Sequence, residues 1–138
     1  MNLVPKRPNR TLGPGHDSFW EYCAKGEMRL QCCGACGKFT WPVAQACEYC
    51  GSAELRWEPV SGKGRLVSWS TFERDYYQGV IPIPYGNILV ELEEGPLFLS
   101  NPAGFTWREA VPGMKVKLTF LACEDSAGRF ELPVFERV

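Results

Sequence analysis

The sequence predicts a mainly β protein with one short amino-terminal helix, a small cysteine-rich unit and a five-stranded barrel. Four cysteines stand as two matched pairs in the first half of the chain, and apolar residues alternate with polar ones through the second half. A helix-capping pattern interrupts this alternation once. We expect three segments: an arm and helix over 1–29, the cysteine-rich unit over 30–58 and the barrel over 59–138.

The first segment is expected to form an extended arm followed by a short helix. Met1–Gly15 contains three prolines with basic residues between them and has no core of its own. Ser18 stands three residues before Glu21, which is the capping-box pattern of a helix start, and Gly26 is a typical helix end. The apolar side chains of this helix are expected to pack on the rest of the protein: Phe19, Trp20 and Cys23.

Cysteines in the second segment are spaced as the ligands of a zinc ribbon. Each Cys-x-x-Cys pair is followed directly by glycine, and ten residues separate the two pairs. The two-residue spacer lets both thiolates of a pair face one point, and glycine permits the positive φ that turns the chain around a metal. We therefore predict one structural zinc with four ligands: Cys33, Cys36, Cys47 and Cys50.

Other uses of these cysteines are less favoured. Seven cysteines cannot all pair in disulfides, and the absence of a secretory hydrophobic segment at the amino terminus favours a reducing, cytoplasmic location. A redox Cys-x-x-Cys needs a strand–helix context that is missing here. Iron also binds four thiolates, but the short hairpin with polar Lys38 and Thr40 favours a structural ion. Cys32 could compete as a ligand only by lengthening the spacer to three residues.

Residues beyond the ribbon alternate as β-strands do. The apolar positions indicate five strands: around Val67–Thr71, Ile88–Leu92, Leu97–Leu99, Val116–Phe120 and Phe130–Phe135. Thr106 and Glu109 form a second capping-box pattern between the third and fourth strands, which predicts one or two helical turns. Five strands with a helix after the third are typical of an OB-fold barrel.

The connection between the first two strands is unusually apolar for a loop. We call Asp75–Tyr85 the tyrosine loop, because it contains Tyr76, Tyr77 and Tyr85 together with two prolines. Either these side chains fold back as core, or they form a surface for a partner or ligand. In OB folds this loop borders the usual ligand face, so it is the candidate binding site.

Charge and hydropathy argue against two classes of protein. The chain has 15 basic and 16 acidic residues and a formal net charge of −1, which argues against a general binder of phosphate backbones. No apolar stretch is long enough to span a membrane. We expect a soluble protein with protein or neutral-ligand partners.

No catalytic constellation is evident in the sequence. A cysteine nucleophile requires a histidine base, but His16 lies next to the predicted arm. Cys123 is followed by Glu124 and Asp125, whose negative charge would raise the pKa of its thiol. Nucleophile-elbow, P-loop and dinucleotide-binding motifs are absent. We expect no enzymatic activity from this chain alone.

The order of these features resembles a known family. A helix with Phe19-Trp20, a Cys-x-x-Cys-Gly ribbon with Trp41-Pro42 and a barrel opening at Gly64–Ser70 are similar to the thiolase-associated proteins that join a rubredoxin-like zinc ribbon to an OB fold. They form domain-of-unknown-function family thirty-five, and the resemblance runs from about Phe19 to the carboxyl terminus. Family members commonly carry a second proline and an arginine where this chain has Val43 and Ala44.

The resemblance implies a non-catalytic accessory subunit that binds a thiolase-fold or lipid-transfer-protein-like enzyme in acyl-CoA metabolism of fatty-acid, polyketide or steroid type. Some members accompany acyl-CoA hydratases or aldolases, so the resemblance implies a subunit of an acyl-CoA acyltransferase, thiolase-like or aldolase complex. A coenzyme A thioester is the ligand that it implies. The residues by themselves lead only to a zinc-stabilised binding module. They leave a nucleic-acid-binding ribbon and OB module as the alternative, because aromatic barrel faces can stack bases.

We predict that single-stranded DNA or RNA binds weakly, because a chain with a net charge of −1 releases few counterions. Fluorescence anisotropy of a labelled oligonucleotide, measured across salt concentrations, tests this expectation. Submicromolar binding near physiological salt, with a steep salt dependence, would support the nucleic-acid alternative instead.

Overall fold

A computed structural model of the chain describes residues 4–138, so the first three residues of the predicted arm lie outside the described part. Within residues 4–138 one α-helix, α1 (Asp17–Ala24), precedes nine strands: β1 (Arg29–Cys33), β2 (Phe39–Thr40), β3 (Leu55–Pro59), β4 (Lys63–Phe72), β5 (Tyr85–Leu92), β6 (Leu97–Ser100), β7 (Pro102–Ala103), β8 (Lys115–Asp125) and β9 (Gly128–Arg137). A single 3-10 turn, Trp107–Glu109, lies between β7 and β8. The chain is therefore mainly β with one short helix, as predicted.

Neither α1 nor any other helix among the described residues has the length and apolar character needed to cross a membrane.

The strands form two sheets. The first three strands are antiparallel in the order β2-β1-β3, and the other six follow the order β6-β5-β4-β8-β9-β7. β6 and β7 lie at opposite ends of the second sheet, yet only Asn101 separates them in the chain. The two ends of the sheet therefore meet, and the sheet closes into a barrel.

The barrel has one strand more than the five expected from the sequence. β7 is only two residues long and pairs in parallel with β9, where Pro102 lies opposite Phe135. The carbonyl of Asn101 accepts a hydrogen bond from the Phe135 N–H at 3.2 Å, which fixes the corner between β6 and β7. Such a short parallel pair has no periodicity that the sequence could display.

The start of α1 differs from the predicted cap at Ser18. The helix begins at Asp17 with His16 in the N-cap position, and no side chain makes a capping hydrogen bond. The Asp17 carboxylate instead accepts a hydrogen bond from the Gly13 N–H at 2.9 Å and so stabilises the turn before the helix. At the other end, Gly26 has a φ of +78° just beyond the helix, in agreement with the predicted stop.

One hydrophobic core joins the helix, the ribbon and the barrel. Phe19 of α1, Trp41 after β2 and Phe98 of β6 form a triangle of rings with centroid distances of 4.7, 5.0 and 6.3 Å. These distances lie within the favourable range for aromatic pairs. Phe19 and Phe98 are buried, and Trp41 packs against the core from the surface. One core therefore spans all three predicted segments. The boundaries after residues 29 and 58 divide the chain by sequence only and stay predictions.

The arm lies along the barrel. The Arg7 N–H donates a hydrogen bond to the Glu124 carbonyl at 2.9 Å, and the Arg10 guanidinium makes a two-pronged contact with the Asp125 carboxylate at 2.7 and 3.2 Å. The side chains of Arg10 and Asp125 are only 12% and 1% exposed. The Arg10 guanidinium also lies 4.3 Å from the centre of the Phe130 ring. The described part of the arm is thus held on the barrel by polar and cation–π contacts and contributes no residue to the hydrophobic core.

Hydrogen bonds from the Arg10 side chain hold the pKa of Asp125 well below its usual range; burial opposes this effect, and the backbone N–H groups of Arg10 and Ala127 reinforce it. A depressed pKa contributes stability that is fully present above the unfolded-state value near 4 and is lost as the pH falls through the folded-state value.

We predict that Asp125→Asn lowers the free energy of unfolding at pH 7 by about 1.5–3 kcal/mol, the range for hydrogen bonds to a charged group. Stability of the unmodified protein should fall as the pH drops below about 4, and the variant should lose part of this dependence. Urea unfolding at several pH values measures both effects. Glu124→Gln is the matched control, because its contact with Arg129 is long (3.9 Å) and exposed. Equal unfolding curves for the two variants would contradict a stabilising role of the contact between Arg10 and Asp125.

Candidate metal centre and docking loop

The structure brings together the four cysteines that the sequence predicts as zinc ligands. Their sulfurs all lie within 4.8 Å of one another, and the Cys33–Cys50 and Cys36–Cys47 sulfur pairs are each 3.6 Å apart. A tetrahedral zinc with Zn–S bonds of about 2.3 Å requires sulfur–sulfur distances of about 3.8 Å. The four thiols therefore fit a tetrahedral thiolate site.

Both cysteine pairs are held by the same local geometry. The first pair begins at Cys33, the last residue of β1, and the second lies between β2 and β3. The Gly37 N–H donates to the Cys33 carbonyl at 2.8 Å, and the Gly51 N–H donates to the Cys47 carbonyl at 2.9 Å. Gly37 and Gly51 have φ angles of +78° and +77°, which side chains with a Cβ rarely adopt. The glycine after each pair is thus needed for the turn, as the sequence indicated.

Backbone N–H groups prepare the site for a cation. The N–H of Cys36, followed by that of Ala35, lowers the pKa of the Cys33 thiol to about 6 against the effect of burial. The Ser52 N–H acts in the same direction on Cys50, but contacts with the three other thiols and burial together raise its pKa to about 12. Four thiolates so close together repel one another, and a bound divalent cation removes that penalty.

The remaining cysteines lie outside this cluster. The Cys32 thiol contacts the Gly37 carbonyl at 3.5 Å, so it does not compete for the site. Cys23 is fully buried, and burial raises its pKa to about 12. Burial also raises the pKa of Cys123. The charge of Arg7 lowers this pKa by a smaller amount, and the charge of Glu131 raises it. The direction for Cys123 agrees with the sequence analysis, but the cause is burial and not the adjacent acidic residues.

The tyrosine loop divides into an anchored part and an exposed part. Tyr85 is the first residue of β5, is half-buried and stacks on Phe72 with a centroid distance of 4.7 Å and an interplanar angle of 12°. Ile81 is also buried. Tyr76 and Tyr77 are 62% and 41% exposed. The core interpretation therefore applies to Tyr85 and Ile81, and the binding interpretation of the exposed part stays a prediction.

The sequence analysis did not single out every exposed apolar side chain of this loop. Val80 and Ile83 are also exposed and extend the surface beyond the tyrosines. The Asp75 carboxylate accepts hydrogen bonds from the N–H groups of Tyr77 and Gly79 at 3.2 and 3.0 Å. This Asx-type turn fixes the backbone beneath the exposed residues. The sequence indicated only that the loop is apolar. The fold shows which of its side chains pack on the barrel and which are exposed.

Family models match most of the chain. A model described as the ChsH2 rubredoxin-like zinc ribbon domain matches residues 20–56, and one described as the ChsH2 C-terminal OB-fold domain matches residues 57–121. The chain therefore belongs to the DUF35 family, the family of zinc ribbon plus OB-fold proteins that the sequence resembles.

Two curated relatives support this membership. A DUF35 domain-containing scaffold protein of Pyrococcus furiosus is 32% identical over 87 residues, which cover 59% of this chain and 60% of the relative. A probable enoyl-CoA hydratase alpha subunit of Thermomonospora curvata is 29% identical over 129 residues, which cover 94% of this chain. The chain spans 60% and 39% of the lengths of these two relatives.

Two solved structures have a similar fold. A chain of the Ltp2-ChsH2(DUF35) aldolase superposes with a TM-score of 0.81 at 26% identity, covering 94% of this chain and 98% of that one. A DUF35-family protein of unknown function from Sulfolobus solfataricus superposes with a TM-score of 0.58 at 17% identity, covering 77% and 78%. The second likeness shows the fold alone.

We predict that the purified protein contains one zinc and that Cys36→Ser loses it together with the order of residues near 30–56, because zinc supplies on the order of 10 kcal/mol in small zinc domains. Metal analysis by mass spectrometry and amide hydrogen exchange measure the two effects and also distinguish zinc from iron. Cys32→Ser is the matched control, since Cys32 lies next to the cluster but outside it. Full zinc content in Cys36→Ser would overturn the ligand assignment.

Proposed function

We propose that this chain is a non-catalytic accessory subunit that docks on a thiolase-fold or lipid-transfer-protein-like enzyme of acyl-CoA metabolism. The observation that carries this proposal is the likeness to a chain of the Ltp2-ChsH2(DUF35) aldolase, which extends over 94% of this chain with a TM-score of 0.81. The scaffold name of the Pyrococcus relative supports the same role. The coverage matters because 94% of this chain cannot be aligned without both the ribbon and the barrel.

In this proposal the metal has a structural role. Cys33, Cys36, Cys47 and Cys50 hold one zinc, which orders the two cysteine turns and the short strand β2 between them. All four zinc positions are taken by protein thiolates, so the ion has no open position for a substrate. The ion therefore stabilises a binding module.

The state of the other thiols also favours an accessory role. Cys23 and Cys123 are completely buried, and burial raises the pKa of both. A thiol must be deprotonated and accessible to act as a nucleophile. The chemistry of the complex then belongs to the partner enzyme.

The tyrosine loop is the proposed docking surface. Tyr76, Tyr77, Val80 and Ile83 expose apolar area. The Asp75 carboxylate holds the backbone of the first part of this surface through the N–H groups of Tyr77 and Gly79. A preformed loop loses little conformational freedom when it binds, and tyrosines are enriched among the residues that dominate interfaces. Stacking of Tyr85 on Phe72 supports the loop from below.

The substrate side of the proposal is less specific. A coenzyme A thioester is the ligand implied by an acyl-CoA enzyme, and the fatty-acid, polyketide or steroid class stays open. A second candidate partner is an acyl-CoA hydratase, because 129 residues of this chain match the probable enoyl-CoA hydratase alpha subunit. We place the complex in the cytoplasm, because all seven cysteines of the chain are free of disulfides.

We predict that the chain co-elutes with a thiolase-fold enzyme of its source organism in size-exclusion chromatography and has no acyl transfer activity alone. Tyr76→Ala should weaken this association by about tenfold or more, the cost of losing an aromatic anchor, and leave zinc content and thermal stability unchanged. Tyr85→Ala should lower stability as well, because its ring stacks on Phe72.

Tyr49→Ala is the matched control, since Tyr49 is a 57% exposed tyrosine on the ribbon outside the loop. Equal loss of association in Tyr49→Ala and Tyr76→Ala would remove the tyrosine loop as the docking surface. Failure of every thiolase-fold or hydratase candidate to co-elute would overturn the accessory role.

A further inference from the structure

We propose that a hollow beneath the arm is a binding site for a small apolar carboxylate. This arm cavity has a volume of about 380 Å³ and lies between the arm, α1, the segment after β2 and the strands β6 and β9. No residue of the tyrosine loop lines this cavity, and it is separate from the four-cysteine cluster.

The wall of the arm cavity is largely apolar. Phe19, Trp20, Trp41, Phe98 and Leu132 line it. Its volume lies within the range of small-molecule sites, which are concave and apolar with a few polar groups that fix orientation. A water molecule in the liquid occupies about 30 Å³. At that volume per non-hydrogen atom, the cavity has room for a ligand of roughly ten such atoms.

One cation of the cavity has no acidic partner. Arg7 is half-buried, and within residues 4–138 no carboxylate lies within 4.0 Å of its guanidinium. Its Nη2 donates instead to the neutral Asn101 Oδ1 at 2.9 Å. Asn101 is itself held, because its Nδ2 donates to the Gly86 carbonyl and to Asn87 Oδ1 at 3.0 and 2.9 Å. The guanidinium is thus fixed in position by a neutral network that leaves its charge uncompensated.

Arg10 lies on the same arm and, unlike Arg7, has an acidic partner. Its charge is neutralised by Asp125 through a two-pronged contact. No acidic side chain lines the described arm cavity, whose ionisable groups are Arg7 and His16. A partly desolvated cation favours an anionic ligand, and the flat guanidinium matches the two oxygens of a carboxylate.

A single arginine beside an aromatic wall favours a monoanion with an apolar body over a dianion such as a phosphate. A second hollow of about 280 Å³ shares Arg7, Trp20, Asn87 and Leu132 with the arm cavity. Arg7 therefore lies where the two hollows meet. The second hollow is also bordered by Arg10, Tyr77 and Tyr85, so the apolar body of a ligand bound at Arg7 lies in the arm cavity.

Octanoate, with about ten non-hydrogen atoms, is the probe that matches the volume. We expect saturable binding to the zinc-loaded full chain, followed by tryptophan fluorescence, since Trp20 and Trp41 line the cavity, and by calorimetry. Octan-1-ol, which keeps the chain and lacks the charge, should bind about tenfold more weakly or worse, because hydrogen bonds to a charged group are strong.

Two variants separate charge from space. Arg7→Gln should bring octanoate affinity down to that of octan-1-ol, whereas Arg108→Gln, an exposed arginine outside the cavity, should leave it unchanged. Val43→Phe places a larger side chain in the wall of the cavity and should weaken both ligands. Val43→Phe still tests binding in the cavity if Arg7→Gln loosens the arm, because it leaves Arg7 unchanged.

Equal affinity for octanoate and octan-1-ol would overturn the proposal, and so would absence of saturation up to about 10 mM. Unchanged octanoate binding in Val43→Phe would place the ligand elsewhere on the protein. Association with a thiolase-fold partner, measured on the same variants, is expected to persist. A failure of carboxylate binding is therefore distinguishable from a failure of the docking proposal.

Discussion

The contact among the rings of Phe19, Trp41 and Phe98 is the packing on which the rest of the structure depends. Each ring comes from a different part of the chain, namely the helix, the ribbon and the barrel, and the closest pair of centroids is 4.7 Å apart. Without this triangle the ribbon would have to fold on a sheet of three strands, one of which is two residues long. Such a sheet buries too little apolar surface to be stable alone.

The cysteine cluster and the ring triangle reinforce each other. Trp41 directly follows β2, whose pairing with β1 places Cys32 opposite Phe39 and Gln31 opposite Thr40. The two cysteine turns flank this short strand, so an ion that joins them also fixes where Trp41 meets the barrel. The Gln31 side chain adds a second restraint, because it exchanges two hydrogen bonds with the Ala44 backbone at 2.8 and 2.9 Å. Order in the ribbon is therefore coupled to the face of the barrel that it covers.

Local signals in the sequence predicted the parts of the fold that depend on neighbouring residues. The cysteine spacing gave the four-sulfur cluster because a Cys-x-x-Cys-Gly turn is determined within five residues, and Thr106 and Glu109 form the capping box that their spacing indicated. Contacts between distant residues left no such trace. Arg10 and Asp125 are 115 positions apart, and β7 depends on its pairing with β9. The Ser18 cap was wrong for a different, local reason, since the Gly13 N–H bonds the Asp17 carboxylate and the helix begins at Asp17.

The exposed half of the tyrosine loop is not explained by folding. Tyr85 and Ile81 already supply contacts that attach this loop to the barrel. Tyr76 contacts the Phe72 ring edge-on at a centroid distance of 6.2 Å and still remains 62% exposed. Large exposed apolar side chains on a fixed backbone are favourable only when another surface covers them. With a formal net charge of −1, the chain has little long-range attraction for a partner of either sign. The docking proposed for this loop would therefore depend on apolar contact, and the stacked pair of Phe72 and Tyr85 supports the loop from below.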